Sequence, residues 1–443
     1  MRAQYARACL AQAAWQIGDL ETSAHRARST QASMAARRCA MSTSRVVALS
    51  SAMAFATQVA FALLMLRLFT PQEVGEFSVI SQIGFFWMTL ALAQSQLGLL
   101  ANQHQPAHIA AQHAWRASVL RGVGLLPIAA LAVWFSQLAL WPALLWALLL
   151  AFCQMGWMLA QSLTLRVGSA WRQAAVRVLP PVAAMATALA AVLIGSSLDW
   201  SGPTLLLSAL LGYVVGAAWL VPAFCVREDS QPAHKDDTQA SIHTRPSDPR
   251  SATLRMTHTL VDALLATAII VVWQRLYGAE ETGWMSSLLR VLGFVPSLVH
   301  VAWSQVVLAH NIQTARTKSS ALRLGLAAFV CVMVLGLFCA LALYQDWLAP
   351  SWQGVWPYIA PLVLWQGSAC VSATFSHRPF QKQSANTYSQ VCILVSVIQT
   401  IILTLPITLT FSSGISPSTH INLLAFTSSI GLISLSIWMY RLK

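Results

Sequence analysis

Long apolar runs separated by short polar breaks follow one another along the chain from residue 46 onward. The runs are about 18 to 25 residues long, which is the length of an α-helix that crosses a bilayer, and they lack the alternation of a membrane β-barrel. The pattern therefore predicts an all-α integral membrane fold with about twelve transmembrane helices. The predicted spans are 46–66, 77–100, 118–140, 142–165, 177–196, 204–225, 257–274, 284–309, 321–344, 356–375, 388–410 and 420–440.

A sequence repeat divides these spans into two sets of six. The segment Arg67–Phe77 recurs 208 residues later as Arg275–Met285, and each copy ends one apolar run and opens the next. The matched pairs are Arg67 and Arg275, Glu73 and Glu281, and Gly75 and Gly283. Because six spans separate the copies, both halves have the same orientation, and we expect a pseudo-two-fold axis along the membrane normal with a substrate path between two lobes.

Four regions are predicted on this basis: a polar N-terminal tail at 1–44, an N-lobe at 45–225, a cytoplasmic linker at 226–256 and a C-lobe at 257–443. Two interpretations of the tail remain open. It is either a disordered or weakly helical extension, or a start assigned too early, with Met41 (or Met34) as the true initiator. The linker is hydrophilic and without period, which is typical of a flexible connection.

Composition excludes a soluble globular protein. The chain is 57% hydrophobic and 9% charged, whereas soluble domains contain roughly 25% charged residues. The eight cysteines show no metal-ligand spacing, so we predict neither a zinc site nor a disulfide framework. No phosphate-binding loop or nucleophile motif is visible, and we expect no cofactor and no enzymatic activity.

The net charge of +13 reflects membrane topology. With the N-terminus in the cytoplasm, all but three of the 27 Lys and Arg fall in the tail, the linker and the cytoplasmic loops. This is the positive-inside pattern, so both termini are predicted to be cytoplasmic, and nucleic acid is excluded as a partner. The three exceptions are Arg67, Arg275 and Arg290.

The repeat segments are expected to brace the outer membrane edge. Arg67 and Arg275 would end their helices, where positive charge favours the dipole, and Glu73 and Glu281 would lie in the turn beyond. Gly75 and Gly283 would make tight turns; the alternative is direct contact with a departing substrate.

Matching polar stripes follow each repeat segment. On a 3.6-residue helix these positions share one face, and a lipid-facing polar stripe would be costly, so both stripes should face the interior or a water-filled cavity. Helix-packing contacts are the alternative for the serines and threonines. The stripes are Ser78, Gln82, Thr89 and Gln96 in the first copy, and Ser286, Arg290, Ser297 and Ser304 in the second.

Arg290 and Asp262 are the charged candidates inside spans. Nothing acidic lies one turn from Arg290, so we predict an anion-binding role, with a phosphate as the ligand that suits a guanidinium; the alternative is snorkelling to the interface. Asp262 is either a proton or cation site for energy coupling, or a carboxylate favoured by the dipole near a helix N-terminus.

The repeat also carries a family resemblance. The segment Arg67-Leu-Phe-Thr-Pro-Gln-Glu-Val-Gly75 resembles the turn after the first span of Wzx-type O-antigen flippases, the polysaccharide branch of the multidrug/oligosaccharidyl-lipid/polysaccharide superfamily, with Thr70 and Val74 as departures. The segment from Gly283 through Arg290 to Gln305 is similar to that family's eighth span.

The resemblance implies translocation of an undecaprenyl-diphosphate-linked oligosaccharide across the bacterial inner membrane by alternating access. Implied partners are this substrate, a coupling ion (H⁺ or Na⁺), membrane lipids and other polysaccharide assembly proteins. The alternatives are another member of the same superfamily, either a cation-coupled exporter or a peptidoglycan-precursor flippase, and a membrane polymerase or ligase acting on polyprenyl-linked sugars. A peptidoglycan-precursor flippase would usually carry additional spans, which the sequence lacks.

Overall fold

A computed structural model describes most of the chain. The described residues are 49–50, 53–93, 95–101, 105–168, 170–195, 203–225, 249–300, 303, 307, 315–382, 384–408 and 415–442. The predicted tail, most of the predicted linker and Ser304 lie outside them.

Helices make up nearly all of the described chain, and no strand occurs in it, so the predicted all-α class is confirmed. The first half contains α1 Met53–Leu68, α2 Pro71–Leu92, α3 Ser95–Ala101, α4 Ala107–Gly124, α5 Leu126–Phe135, α6 Leu140–Val167, α7 Ala170–Gly195, α8 Thr204–Ala217 and α9 Pro222–Cys225, with a 3₁₀ turn Ala218–Leu220. The second half contains α10 Pro249–Val299, α11 Ala315–Tyr344, α12 Trp356–Phe375, α13 Arg378–Gln381, α14 Ala385–Thr408 and α15 Pro417–Arg441, with a 3₁₀ segment Pro350–Val355.

The apolar helices agree with the predicted spans. In the part of the chain that the structure describes, nine helices are long and apolar enough to cross a membrane, and the pair α4 and α5, bent by 48°, makes a tenth candidate. One of the nine, Met256–Val299, is 44 residues long and holds two predicted spans. When the shorter helix α1 is counted together with these helices, every predicted span overlaps a helix or a helix pair. The chain is therefore a multi-pass membrane protein.

Three predicted boundaries are wrong, each for a local reason. The second span starts at Pro71 instead of residue 77, because Thr70 and Glu73 form a capping box ahead of it. The break predicted at Trp141-Pro142 lies earlier, because α6 begins at Leu140 and a proline is tolerated in the first turn. The predicted linker is partly helical, because α10 begins at Pro249, where the missing N–H costs nothing.

The turn between the two spans of α10 is a single residue. Gly278 has φ +87° and interrupts otherwise continuous helical geometry. A side chain is strained at that φ, so glycine lets the chain change direction here without a loop. The equivalent position in the first copy is Thr70, which caps α2.

Candidate functional site

The two repeat segments pack directly against each other. A Cβ built on Gly75 would lie 1.9 Å from the carbonyl oxygen of Ala279, and one built on Gly283 would lie 1.8 Å from that of Pro71. Pro71 and Ala279 are themselves repeat equivalents, so the contact is reciprocal, as a two-fold axis requires. Glycine is needed because backbone meets backbone, and the expected tight turns at Gly75 and Gly283 are wrong.

A hydrogen bond between equivalent serines lies on the same axis. The hydroxyl of Ser286 donates to that of Ser78 at 2.9 Å, and both side chains are buried. One turn of helix separates this bond from the glycine contact. The first members of the two predicted stripes thus join α2 to α10, which is the helix-packing alternative.

Trp352 adds a third contact between the two halves at the end where the glycines meet. It is fully buried, and its indole Nε1–H donates to the carbonyl of Phe69 at 3.2 Å, which ties the 3₁₀ segment of the second half to the end of α1. Beside it, Trp284 Nε1–H donates to the carbonyl of Ser351 at 3.1 Å. We call the contacts of Gly75, Gly283 and Trp352 the seal.

The charged repeat residues have diverged. Arg67 is exposed at the end of α1. Arg275 lies in the last turn before α10 breaks at Gly278, and its guanidinium lies over the Phe135 ring at 5.9 Å. Glu73 caps α2 instead of lying in the turn, whereas Glu281 accepts a hydrogen bond from the hydroxyl of Tyr358.

Below the seal lies a cavity of about 300 Å³ that we call the arginine cavity. Within the described chain Arg290 is the one charged side chain in its wall. Gln58, Gln82, Gln154 and Tyr213 supply uncharged polar groups. The rest of the wall is aromatic or small: Phe61, Phe77, Phe85, Trp157, Pro180, Pro181, Ala184, Ala209, Gly212 and Phe294, with Ser81.

A second cavity, of about 380 Å³, lies between the halves, and we call it the central cavity. Gln82 and Arg290 line this cavity as well as the arginine cavity. These two residues are repeat equivalents, so the pseudo-symmetry places an amide and a guanidinium at corresponding positions. Part of the hydrogen-bonding capacity of Gln82 is already used, because its Nε2 donates to the hydroxyl of Thr267 at 3.4 Å.

Arg290 has no acidic partner among the described residues. The ion pair found there joins His258 and Asp262. Its guanidinium lies over the Phe77 ring at 5.0 Å, and Nη1 contacts Met65 Sδ at 3.7 Å. These contacts hold the side chain without neutralising it. Arg290 lines two cavities, and its five N–H donors remain largely available for an anion.

A third cavity, of about 570 Å³, lies further from the seal and is called the threonine cavity. Thr89 and Gln96 line it from the first half, and Phe85 is shared with the arginine cavity. From Gly75 to Leu92 the helix rises about 25 Å, so the cavities follow α2 away from the seal. The second half supplies Thr253, Met256, Thr257, Thr259 and Leu260.

The predicted stripes do not continue as expected beyond Thr89 in the first copy and Arg290 in the second. α2 ends at Leu92, and Ala93 has φ 41°, so Gln96 belongs to α3 and not to the same helix as Ser78. In the second copy, Ser297 is exposed and its hydroxyl donates to the carbonyl of Gly293 at 2.9 Å. Ser297 therefore satisfies itself within its own helix, and the position of Ser304 lies outside the described residues.

Asp262 is exposed and lies more than three turns into α10, so the helix N-terminus does not explain it. One carboxylate oxygen lies 3.1 Å from His258 Nε2, and the other accepts from Ser396 at 3.3 Å. Among the described residues no group of three or more His, Cys, Asp or Glu could hold a metal ion.

Three polar residues of the arginine cavity were missed from the sequence: Gln58, Gln154 and Tyr213. Gln58 and Gln154 are isolated amides within apolar spans, which is the same signal that singled out Gln82. They have no polar counterpart in the second copy, since Ala266 and Leu362 occupy the positions 208 residues later. A search restricted to matched stripes therefore passes over them.

Comparisons with known proteins extend this description. No family model and no curated protein sequence matches the chain. The chain is similar in structure to the lipid II flippase MurJ in an inward closed conformation, with a TM-score of 0.62 and 11% identity over 88% of this chain and 87% of that one. A multidrug resistance MATE family transporter of the MOP superfamily, in an inward-facing conformation, matches with a TM-score of 0.48 and 13% identity over 88% and 93%.

The chain shares its fold with a lipid flippase. At 11% identity this likeness establishes the arrangement of helices and not the substrate. Within that arrangement, the site offers a guanidinium beside two connected cavities, a polar uncharged cavity further along α2, and a seal at the other end. Such a site can bind an anion that carries a polar group and hold it away from one membrane face.

Proposed function

We propose that this chain translocates an undecaprenyl-diphosphate-linked oligosaccharide, an O-antigen or exopolysaccharide repeat unit, across the bacterial inner membrane. The observation that carries the proposal is Arg290, a guanidinium without an acidic partner in the described chain, located where the arginine and central cavities meet. The resemblance of the repeat to Wzx-type flippases and the shared fold with a lipid flippase support it.

Arg290 would bind the diphosphate. A planar guanidinium can donate two parallel hydrogen bonds to phosphate oxygens, and in a cavity lined mostly by aromatic and small side chains this attraction is stronger than in water. Gln82 would assist from the other half, as would Gln58 and Gln154 from the cavity wall.

The oligosaccharide would occupy the threonine cavity. Its wall offers hydroxyls and an amide, from Thr89, Thr257 and Gln96, between apolar side chains, and no charged residue lines it in the described chain. Sugars present hydroxyls above apolar C–H faces, so this mixture suits a neutral glycan.

Transport would proceed by alternating access. In this structure the seal is closed and the cavities lie toward the opposite end, which the predicted topology places at the cytoplasm. The substrate would enter there, and separation of Gly75 and Gly283 would release it on the other side. The glycine contact within the seal is small and reciprocal, so both halves would move about the axis through Ser78 and Ser286.

Purified protein in proteoliposomes tests the proposal. A polyprenyl-diphosphate-linked oligosaccharide, labelled on its sugar, should become accessible to an external glycosidase faster in vesicles with protein than in empty vesicles. A glycolipid that carries the same labelled sugar on a diacylglycerol, and that the same glycosidase cleaves, serves as the control for unspecific lipid scrambling. If a lipophilic cation is transported and the lipid-linked sugar is not, the chain is an exporter. If the sugar chain lengthens or is transferred, it is an enzyme.

A further inference from the structure

Glu73 and Glu281 occupy the same repeat position and differ in what they do. The carboxylate of Glu73 accepts hydrogen bonds from the backbone N–H and the hydroxyl of Thr70, at 2.8 and 2.9 Å, and is thereby committed to capping α2. In the second copy, Thr70 is replaced by Gly278, which has no side chain. The carboxylate of Glu281 is therefore released from a capping role.

Glu281 is half-buried and turned toward Tyr358 on α12, whose hydroxyl donates to it. Tyr358 is itself 1% exposed. No Lys, Arg or His forms an ion pair with Glu281 in the part of the chain that is described. Only one hydroxyl stabilises the negative charge of this carboxylate. Its affinity for a proton therefore depends on that hydrogen bond and on the access of water.

Behind this pair lies a cluster of aromatic side chains. Trp273 is fully buried, with its ring 6.1 Å from that of Tyr358, and it stacks on His420 at 4.8 Å. His420 Nε2 lies 3.1 Å from the carbonyl of Ile402, which can only accept, so Nε2 carries a proton. In the neutral ring, Nδ1 then accepts from the hydroxyl of Tyr277 at 2.9 Å.

Few titratable groups surround Glu281. Its own helix provides Tyr277 and the exposed Glu280, α12 provides Tyr358, and α15 provides His420 behind Tyr277. The faces packed against this part of α10 from α2 and from the 3₁₀ segment are uncharged: Pro71, Gly75, Ser351 and Trp352. Other carboxylates also lie near the seal: Glu73 and Glu76 on α2 accept hydrogen bonds from Thr70 and Gln72, and Glu280 is exposed. Glu281 differs from them in its contact with the buried Tyr358.

We propose that Glu281 is a proton-binding site whose loading and release drive opening of the seal. The carboxylate takes up one proton to become a neutral acid and later releases that same proton; no other covalent bond changes. Glu281 lies two residues from Gly283, so the change in charge and in the Tyr358 hydrogen bond acts on the backbone that contacts Pro71. The coupling to transport rests on the proposed function, whereas proton binding does not.

Proton binding is tested on the purified full chain without substrate. Infrared difference spectra between about pH 8 and about pH 6, where ordinary carboxylates with a pKa of about 4 stay ionised, should contain a protonated-carboxyl band that disappears in Glu281→Gln. The band should persist in Glu280→Gln, its exposed neighbour, and in Glu73→Gln, its capping equivalent. Tyr358→Phe, which keeps the carboxyl group, should shift the pH midpoint of the band without abolishing it. A wild-type spectrum without the band, or a band that survives in Glu281→Gln, overturns the proposal.

Coupling is tested in the proteoliposome assay with a pH gradient that is acidic on the side of the seal. The gradient should accelerate wild-type translocation, Glu280→Gln should respond in the same way, and Glu281→Gln should lose the acceleration. A Glu281→Gln protein that is still accelerated contradicts the coupling while leaving the flippase intact. If the wild type moves no lipid-linked sugar, the proposed function fails, and the infrared band alone decides whether Glu281 is a proton site.

Discussion

Substitution of Gly283 by alanine tests the backbone contact at the seal. The added Cβ would lie 1.8 Å from the carbonyl oxygen of Pro71, and real Cβ atoms do not approach closer than 3.0 Å, so the two helices must separate locally by about 1.2 Å. Overpacking of this kind costs about 1–3 kcal/mol, which is roughly a 5–150-fold change in a conformational equilibrium. The change should destabilise the sealed state.

The assay is thermal unfolding of the purified protein in detergent, with Gly124→Ala as the matched control. An added Cβ at Gly124, at the end of α4, meets nothing within 4 Å. Because alanine is otherwise the better helix former by about 0.5–1 kcal/mol, Gly124→Ala should unfold at an equal or higher temperature. Gly283→Ala should unfold at a lower one, and Gly75→Ala should behave in the same way. Equal unfolding temperatures for Gly283→Ala and Gly124→Ala would refute the contact.

Two further predictions concern the seal and the topology. Trp352→Phe removes the indole N–H bond to Phe69 and should lower stability by about 0.5–1.5 kcal/mol, measured by thermal unfolding against Trp356→Phe, whose ring is 45% exposed; equal losses in the two variants would contradict the bond. A reporter active only in the cytoplasm should be active when fused after Arg250 and silent near Gly354, and the reverse result would overturn the predicted orientation.

The membrane fold was predictable from the sequence because it depends on hydropathy and length. Each predicted span overlaps a described helix or helix pair, and the 208-residue repeat pairs residues that correspond in the structure, Ser78 with Ser286 and Gln82 with Arg290. Hydropathy and segment length can be read directly from the sequence, and a bilayer leaves the backbone few alternatives to the α-helix.

Contacts between helices were less predictable. Sequence alone predicts turns at Gly75 and Gly283, because glycine is common in turns. The structure requires glycine there for the close approach of two backbones, which leaves no pattern along the sequence. The break of α2 at Ala93 separates Gln96 from Ser78, and it carries neither glycine nor proline. The repeat alone predicts the same role for Glu281 as for Glu73. The different role of Glu281 follows from the replacement of Thr70 by Gly278 and from the contact with Tyr358, which the sequence does not reveal.

Arg290 carries the central claim, that a lipid-linked diphosphate binds between the two halves. Arg290→Ala removes the one charged side chain that lines the arginine and central cavities within the described chain. Hydrogen bonds to charged groups contribute roughly 1.5–3 kcal/mol, so transport should fall about ten- to a hundred-fold. Arg290→Lys keeps the charge without the planar fork and should restore transport in part. Gln82→Ala, at the equivalent position, should do less harm.

The decisive measurement is the amount of lipid-linked oligosaccharide that accumulates on the cytoplasmic leaflet of cells carrying each variant at equal protein level. We expect strong accumulation with Arg290→Ala, an intermediate amount with Arg290→Lys and the least of the three with Gln82→Ala. Export at the wild-type rate by Arg290→Ala, with the protein present at its normal level, would contradict diphosphate binding at this site.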